Sequence, residues 1–494
     1  MDDQVFDIVV VGGGINGAGI ARDAAGRGFS VCLLERSDLA SATSSASTKL
    51  IHGGLRYLEQ YEFRLVREAL AEREVMLRIA PHIVWPMRFV LPHRPEMRPR
   101  WMIRAGLFLY DRLARRISLP AHEAVDCRTH PYGAPLDPHI TNAFAYSDCW
   151  VQDARLVLLN ARDAAAHGAE ILTRTAMVAT TRHADHWEVS ARSEDGTHRR
   201  LRARLLVNAA GPWVMEAFGM AGQTPRGQVR LIKGSHIVVP ALHDGAQAYL
   251  LQNDDRRVVF VIPYEERFSL IGTTDVFYEG DPRQVHASEA EIAYLCAAVG
   301  KQFKKAPEPA DVVWTYAGVR PLYDDGSADA STVTRDYVLE MDAGQGAPLL
   351  SVLGGKITTY RRLAEEAVGH IAKATRHAAG TPWTATAVLP GGDLGPGGLA
   401  AFEADASRRH DWLPPAMLRR LVRSYGSELD LMLDGATSLA GLGAALGGGL
   451  TEKELAWMLR HEWARTAEDV MWRRSKLGLH MTAGEREALV ARVG

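Results

Sequence analysis

The segment FDIVVVGGGINGAGIARDAAGRGFSVCLLER, residues 6–36, leaves the chain few choices of fold. Residues 6–11 are an apolar run suited to a strand buried on both faces of a parallel sheet. Gly12, Gly14 and Gly17 follow in G-x-G-x-x-G spacing. The first glycine permits a tight turn, the second lets backbone approach a pyrophosphate, and the third lets helix and strand pack closely. The helix starting there offers unpaired N–H groups and a positive dipole end to an anion. Residues 30–34 form the second strand, and Glu35 ends it where a carboxylate can accept both hydroxyls of an adenosine ribose. An acid there favours an unphosphorylated ribose, so the motif predicts FAD or NAD.

The next segment separates these two cofactors. TSSASTKLIHGGLRY, residues 43–57, carries five hydroxyls in its first six residues, where a nicotinamide enzyme commonly begins its next helix. Thr43, Ser44, Ser45, Ser47 and Thr48 suit the pyrophosphate and ribityl chain of a longer ligand. Gly53 and Gly54 let backbone pass close to a flat ring. The structural alternative is a serine-rich N-cap for a helix over residues 62–79, but a cap needs one hydroxyl.

Several stretches carry a family resemblance: TSSASTKLIHGGLRYLEQYEFRLVREALAERE, LIKGSHIVVP, VFVIPY, IGTTD, WTYAGVRPL, TRDY, LGGKITTYRRLAE and HEWARTAEDVMWRR. In this order they resemble the FAD-dependent, quinone-linked glycerol-3-phosphate dehydrogenases of aerobic bacteria, nearly from end to end. The resemblance implies an α/β fold: a Rossmann-like FAD-binding domain of the two-dinucleotide-binding type, an antiparallel-sheet substrate cap and a C-terminal helical domain. It implies FAD contacts from Gly12, Gly14, Asn16, Gly17, Glu35, Arg36, Thr43, Ser44, Ser45, Thr48, Lys49, Leu50, His52 and Gly53. Further contacts are expected from Gly211, Gly318, Gly354, Gly355, Lys356 and Thr358.

The expected organisation assigns residues 1–224 to the first part of the FAD domain and 225–310 to the cap. Residues 311–388 return to the FAD domain, 389–398 form a linker, and 399–494 form the helical tail. Within this scheme residues 312–319 and 349–353 read as strands rejoining the first sheet. PGGDLGPGG, residues 390–398, marks the linker. Ser288-x-x-Glu291 and Thr451-x-x-Glu454 are helix-capping signatures. Trp457, Trp463 and Trp472 are spaced for packing, so the tail reads as structural or oligomer-forming, with a homodimer left open.

Oxidising a secondary alcohol with a flavin requires a hydride acceptor, a base for the hydroxyl proton and neutralisation of the substrate phosphate. Arg320, in GVRPL at a strand end, offers a guanidinium for bidentate capture of phosphate or the nascent carbonyl oxygen. Lys356 follows Gly354 and Gly355 at the start of a helix, where dipole and charge would stabilise an anionic reduced ring. His236 is the candidate base, with a packed core histidine as the alternative. Arg56 and Tyr57 suit phosphate and hydroxyl recognition, Thr274 and Asp275 suit orientation of substrate or histidine, and His52 is placed to touch the flavin.

A net charge of −2 on 494 residues gives no argument for nucleic acid as a partner. Four scattered cysteines without a C-x-x-C pair argue against zinc and a disulfide framework and for a reducing compartment. No apolar run reaches the roughly 18 residues of a spanning helix. RPRWMIRAGLFLYDRLARR, residues 98–116, interleaves apolar anchors with arginines as an interfacial helix does. The alternative is a buried helix with snorkelling arginines. With the resemblance, the expectation is oxidation of sn-glycerol 3-phosphate, electrons passed to ubiquinone or menaquinone, and a cytoplasmic enzyme attached peripherally to the inner membrane surface. The competing reading is an FAD-dependent oxidase of amino or hydroxy acids that uses oxygen.

Overall fold

The computed structural model describes residues 5–55, 58, 61–113, 118–224, 229–255, 257–324 and 336–493. Arg56 and Tyr57, the first two residues of TRDY and residues 114–116 of the arginine-rich segment lie outside them.

Two large sheets share the molecule. The first runs in the order Val338–Asp342, Leu349–Leu353, His198–Asn208, Val5–Val11, Val31–Leu34, Glu170–Leu172. Along this path the pairings are parallel except at the Val338–Asp342 edge, and off it Trp187–Ser193 pairs antiparallel with both His198–Asn208 and Thr175–Arg182. Ile8, Val9 and Val10 are completely buried, as a central parallel strand demands. Ile15–Gly26, Asp153–Ala166 and Tyr360–Thr375 form helices that share the core on this sheet. Gly17 sits so close to the turn that a Cβ would lie 1.9 Å from the Gly12 carbonyl oxygen. That approach is the helix–strand contact the third motif glycine makes possible.

The second sheet has ten strands among the described residues and departs from the expected cap. Its antiparallel centre is Val229–Pro240, Phe268–Gly272, Val258–Tyr264 and Ala248–Gln252. Val84–His93, Glu123–Asp126, Asn142–Val151 and Leu50–Ile51 also belong to it, although they fall within residues 1–224. Trp314–Tyr323, expected in the first sheet, pairs antiparallel with Val229–Pro240 along ten residues instead. In this register Gly234 faces Gly318, and both line the cavity; a Cβ would meet Arg320 Nη2 at 2.4 Å on the first and the Ala46 Cβ at 2.8 Å on the second. Leu349–Leu353 pairs parallel with His198–Asn208.

The tail folds into helices at Gly398–Arg409, Pro415–Tyr425, Glu452–His461 and Ala483–Val493, with a wide turn at Asp469–Arg474. It docks on the first domain through buried charge. Arg155 meets Glu462 at 3.0 Å, and Arg474 holds both carboxylate oxygens of Asp38 at 2.6 and 2.7 Å.

His82 is fully buried at this seam, beside Gly391 and Gly426. Burial, and then Arg155 and Arg162, lower its pKa from 6.5 to about 3. The unfolded chain binds this proton below pH 6.5 while the folded chain refuses it down to about pH 3, so stability falls as pH drops through that window. The slope is about 1.4 kcal/mol per pH unit for one such group. His82→Gln should therefore show a shallower loss of stability between pH 6 and 4 than the parent chain. Parallel slopes in urea titrations across that range would contradict the assignment.

Candidate active site

A cavity of about 2110 Å³ runs between the two sheets. Cavities for small ligands usually measure about 300–1,000 Å³, so this one has room for a dinucleotide and a substrate together.

At one end the glycine turn forms its floor. Gly12 has φ +113°, and a Cβ there would meet the Ala209 carbonyl oxygen at 2.4 Å. Gly14 precedes the first helix and supplies no side-chain cap, leaving the helix end to the cavity that Gly12, Gly14, Ile15 and Asn16 line. Glu35 lines it too; its Oε2 accepts from the Gly13 N–H and its Oε1 from the Ser37 N–H, both at 2.7 Å. Burial raises its pKa, and those two N–H groups oppose the shift. The Arg36 guanidinium lies 3.9 Å over the Trp213 ring, and Gly211 completes this end.

The hydroxyl-rich segment runs along the wall, and much of its hydrogen bonding goes to protein. The Ile15 N–H donates to Ser44 Oγ at 3.0 Å, Thr43 Oγ1 donates to the Val319 carbonyl at 2.5 Å, and Ser47 Oγ donates to Asp153 at 2.8 Å. Thr43, Ser44, Ser45, Ser47, Thr48 and Leu50 line the cavity, and each hydroxyl oxygen keeps further capacity for a ligand.

Lys49 does not line it. The side chain turns into the core at 1% exposure, where Nζ contacts both Asp153 oxygens at 2.8 and 2.9 Å and the Ser45 carbonyl at 2.9 Å. Gly53 likewise faces the core: a Cβ there would strike Leu70 and the Tyr110 hydroxyl at 2.6 Å, whereas neighbouring Gly54 lines the cavity. These two placements, with that of Gly17, which packs on the Gly12 carbonyl and does not line the cavity, correct the expected cofactor contacts.

The second glycine turn closes the same space. Gly354 and Gly355 have φ +78° and +103°, and a Cβ on Gly355 would lie 2.9 Å from the Asn16 amide nitrogen. Asn16 Nδ2 donates to the Gly354 carbonyl at 3.2 Å, while its Oδ1 is buried without a hydrogen-bond partner among the described residues. That acceptor, with floors on which a Cβ would collide, fits a ligand carrying O–H or N–H donors. Lys356, Thr358 and His52 line this part, and the His52 N–H lies 3.4 Å from Thr358 Oγ1.

Arg320 lines the cavity from Trp314–Tyr323. Its Nη2 meets Asp275 Oδ1 at 2.8 Å and the Thr274 carbonyl at 3.2 Å. Gly234 makes room for it, since a Cβ there would lie 2.4 Å from that nitrogen. Asp275 lines the cavity, but the Thr274 side chain is completely buried behind it and bonds Glu291, which corrects its expected contact with substrate.

His236 lines the cavity between these groups. It stacks on Tyr316 with ring centres 4.7 Å apart, and its Nε2 lies 3.0 Å from Thr48 Oγ1. Burial first, then Lys49 and Arg320, push its pKa well below 6.5, so the ring is neutral at physiological pH.

The tail also reaches the cavity. Glu468, Trp472, Arg473 and Lys476 line it, and Trp472 stacks on Trp314 at 4.4 Å. Arg473 Nε bonds Asp38 at 2.6 Å, just beyond Glu35. Burial, with Lys49 nearby, lowers the Lys476 pKa to about 7. Tryptophan spacing within the tail signals packing but not what the rings pack against, so these lining residues were not legible locally.

Residues 7–361 match the family described as FAD dependent oxidoreductase, and residues 382–493 match the C-terminal domain of alpha-glycerophosphate oxidase. The D-erythritol 1-phosphate dehydrogenase of Brucella abortus is 51% identical over 491 residues, covering 99% of this chain and 98% of the relative. The glycerol-3-phosphate dehydrogenase of Pseudomonas aeruginosa is 53% identical over 489 residues, covering 98% and 94%. The crystal structure of glycerol-3-phosphate dehydrogenase from Bacillus halodurans complexed with FAD superposes with a TM-score of 0.75 at 27% identity, covering 100% of this chain and 94% of that one. Fold, glycine turns and these matches agree: the chain belongs to the FAD dependent oxidoreductases, among their glycerol-3-phosphate dehydrogenases.

Proposed function

We propose that this chain oxidises sn-glycerol 3-phosphate to dihydroxyacetone phosphate and passes the electrons to a membrane quinone, ubiquinone or menaquinone. The observation that carries the reading is Arg320, held by Asp275 and the Thr274 carbonyl on the wall of the dinucleotide cavity. A guanidinium fixed in this way suits a phosphate oxygen pair. FAD, when bound in this cavity, would supply the hydride acceptor for oxidation at the secondary alcohol carbon. His236 is neutral and so in acceptor form. Its low basicity suffices because the hydroxyl becomes strongly acidic as hydride leaves. Lys356 and the helix start beside it would favour negative charge at the second glycine turn.

A second reading keeps the chemistry and lengthens the substrate. The Brucella abortus relative named for D-erythritol 1-phosphate is similar over 99% of the chain, which favours a four-carbon polyol phosphate as competitor. Anaerobic bleaching of the bound flavin by glycerol 3-phosphate, erythritol 1-phosphate, glycerol and glycine decides the matter. Bleaching by glycerol 3-phosphate, with weaker response to the four-carbon ester, supports the first reading. Preference for erythritol 1-phosphate transfers the assignment, and bleaching by glycine alone refutes both.

The acceptor side rests on the helix Arg100–Leu113. Trp101, Met102, Phe108 and Leu109 are exposed on it beside Arg100, Arg104 and Arg112. Apolar anchors among cations suit an anionic membrane surface. The cavity opens here, with Met102, Ile103, Gly106 and Leu109 in its lining. No helix among the described residues is long and apolar enough to cross a membrane. Sedimentation with anionic vesicles at low salt tests this attachment.

A further inference from the structure

The capping box Ser288-x-x-Glu291 starts the helix Glu289–Gly300, and its geometry there is complete: Ser288 Oγ accepts from the Glu291 N–H, and Glu291 reaches back to the Ser288 N–H. A capping glutamate normally ends its role at that contact. This one is 7% exposed and has a second set of partners. Its Oε1 accepts from Thr274 Oγ1 at 2.8 Å and from Ser235 Oγ at 2.9 Å, while Oε2 meets Lys233 Nζ at 2.7 Å.

Those partners are the two backbone segments around Arg320. Ser235 follows Gly234, the residue whose missing side chain the guanidinium fills. Thr274 lies between Thr273 and Asp275, both of which line the cavity. The Ser235 N–H donates to Thr274 Oγ1 at 2.9 Å, and the Thr274 carbonyl accepts from Arg320 at 3.2 Å. A continuous chain of bonds thus runs from a helix N-terminus through Glu291 and Thr274 to the arginine fork.

We propose that Glu291 is a positioning residue for substrate binding: by clamping residues 233–235 to residues 273–275, it sets the orientation in which Arg320 receives the phosphate of the substrate. The inference rests on the reading of Arg320 given above. Arg320 has several rotatable bonds, and Asp275 at 2.8 Å offsets part of its charge, so binding depends on where the fork points. Lys233 is drawn away to Glu291 and adds no free cation there. Burial alone would raise the Glu291 pKa, but bonds from Lys233, Ser288, Thr274 and Ser235 hold it at about 2, so the clamp stays charged at any working pH.

The test separates clamp from cap. Steady-state turnover of sn-glycerol 3-phosphate with a dye acceptor should give an about ten-fold higher KM in Glu291→Ala and in Thr274→Val. In both variants kcat should stay within about three-fold and the flavin spectrum should be unchanged, as expected for lost uniform binding. Thr274→Ser restores the hydroxyl and should restore KM. Ser288→Ala weakens the cap but leaves the contacts to Thr274 and Ser235, and should lower thermal stability without moving KM. If Thr274→Val leaves KM unchanged, or Thr274→Ser fails to rescue it, the clamp is wrong even if Glu291→Ala does not fold. If the parent enzyme turns over no polyol phosphate, the reading of Arg320 fails instead.

Discussion

Arg320→Ala keeps its FAD and loses about two to three powers of ten in kcat/KM on its phosphorylated substrate. The size follows from removing a charged donor aimed at an anion in a partly buried site, worth a few kcal/mol of transition-state stabilisation. The loss falls at the upper end because Asp275, 2.8 Å from the missing nitrogen, then faces the incoming phosphate without that partner. Arg320→Lys recovers only part, since an ammonium cannot reproduce the fork. Arg320→Ala combined with Asp275→Asn should be better than Arg320→Ala alone, because a like charge has been removed. FAD stays bound because the glycine turn, Glu35 and Asn16 are contributed by other elements of the fold. Visible spectra and dye-linked turnover measure the two properties separately, and activity within ten-fold of the parent would remove Arg320 from substrate binding.

Lys49→Met should have the largest effect on stability. Lys49 and Asp153 are each 1% exposed and 2.8 Å apart, so the substitution leaves a carboxylate buried without its cation. Breaking such a pair from one side typically costs about 3–5 kcal/mol. The lower part of that range applies here. Lys49 is one cause of the depressed Lys476 pKa, and its removal lets Lys476 take up a proton facing the same aspartate. Lys49→Met with Asp153→Leu should regain most of the stability, because a packed apolar pair replaces two desolvated charges. Flavin retention should fall in both variants, since Lys49 holds the Ser45 carbonyl and Asp153 holds Ser47. Urea unfolding gives the first quantity and fluorescence of released FAD the second; an unchanged midpoint in Lys49→Met would overturn the account.

What could be read from the sequence was whatever the backbone itself dictates. Gly12, Gly17, Gly354 and Gly355 stand where a side chain would collide or where φ is positive, and such demands act over a few residues. Glu35 was legible because its place at a strand end is part of the same local unit. Partners chosen across the chain were hidden: Lys49 and Asp153 are 104 residues apart, and no spacing rule joins them. Alternation along an extended segment carries part of this information. In Gly-Thr-Thr-Asp, Thr273 and Asp275 face the cavity and Thr274 the opposite side, whereas Lys49, at φ +60°, turns into the core between Thr48 and Leu50, which line the cavity. The second sheet is larger than the linear order of its strands shows, for a related reason. Val84–His93 pairs with Asn142–Val151 in an antiparallel ladder whose partners are distant in sequence, and a linear division into domains cannot represent that exchange.

The tail that supplies Trp472, Arg473 and Lys476 bears on biosynthesis. A nascent chain emerging from the ribosome can form the glycine turn long before these residues exist, but it then offers the flavin a trough open to water. Retention of the coenzyme is therefore expected to depend on residues 468–476, and a chain cut before them should hold a redox-active dye poorly. Loss of yellow colour on truncation before Glu468 would check that dependence.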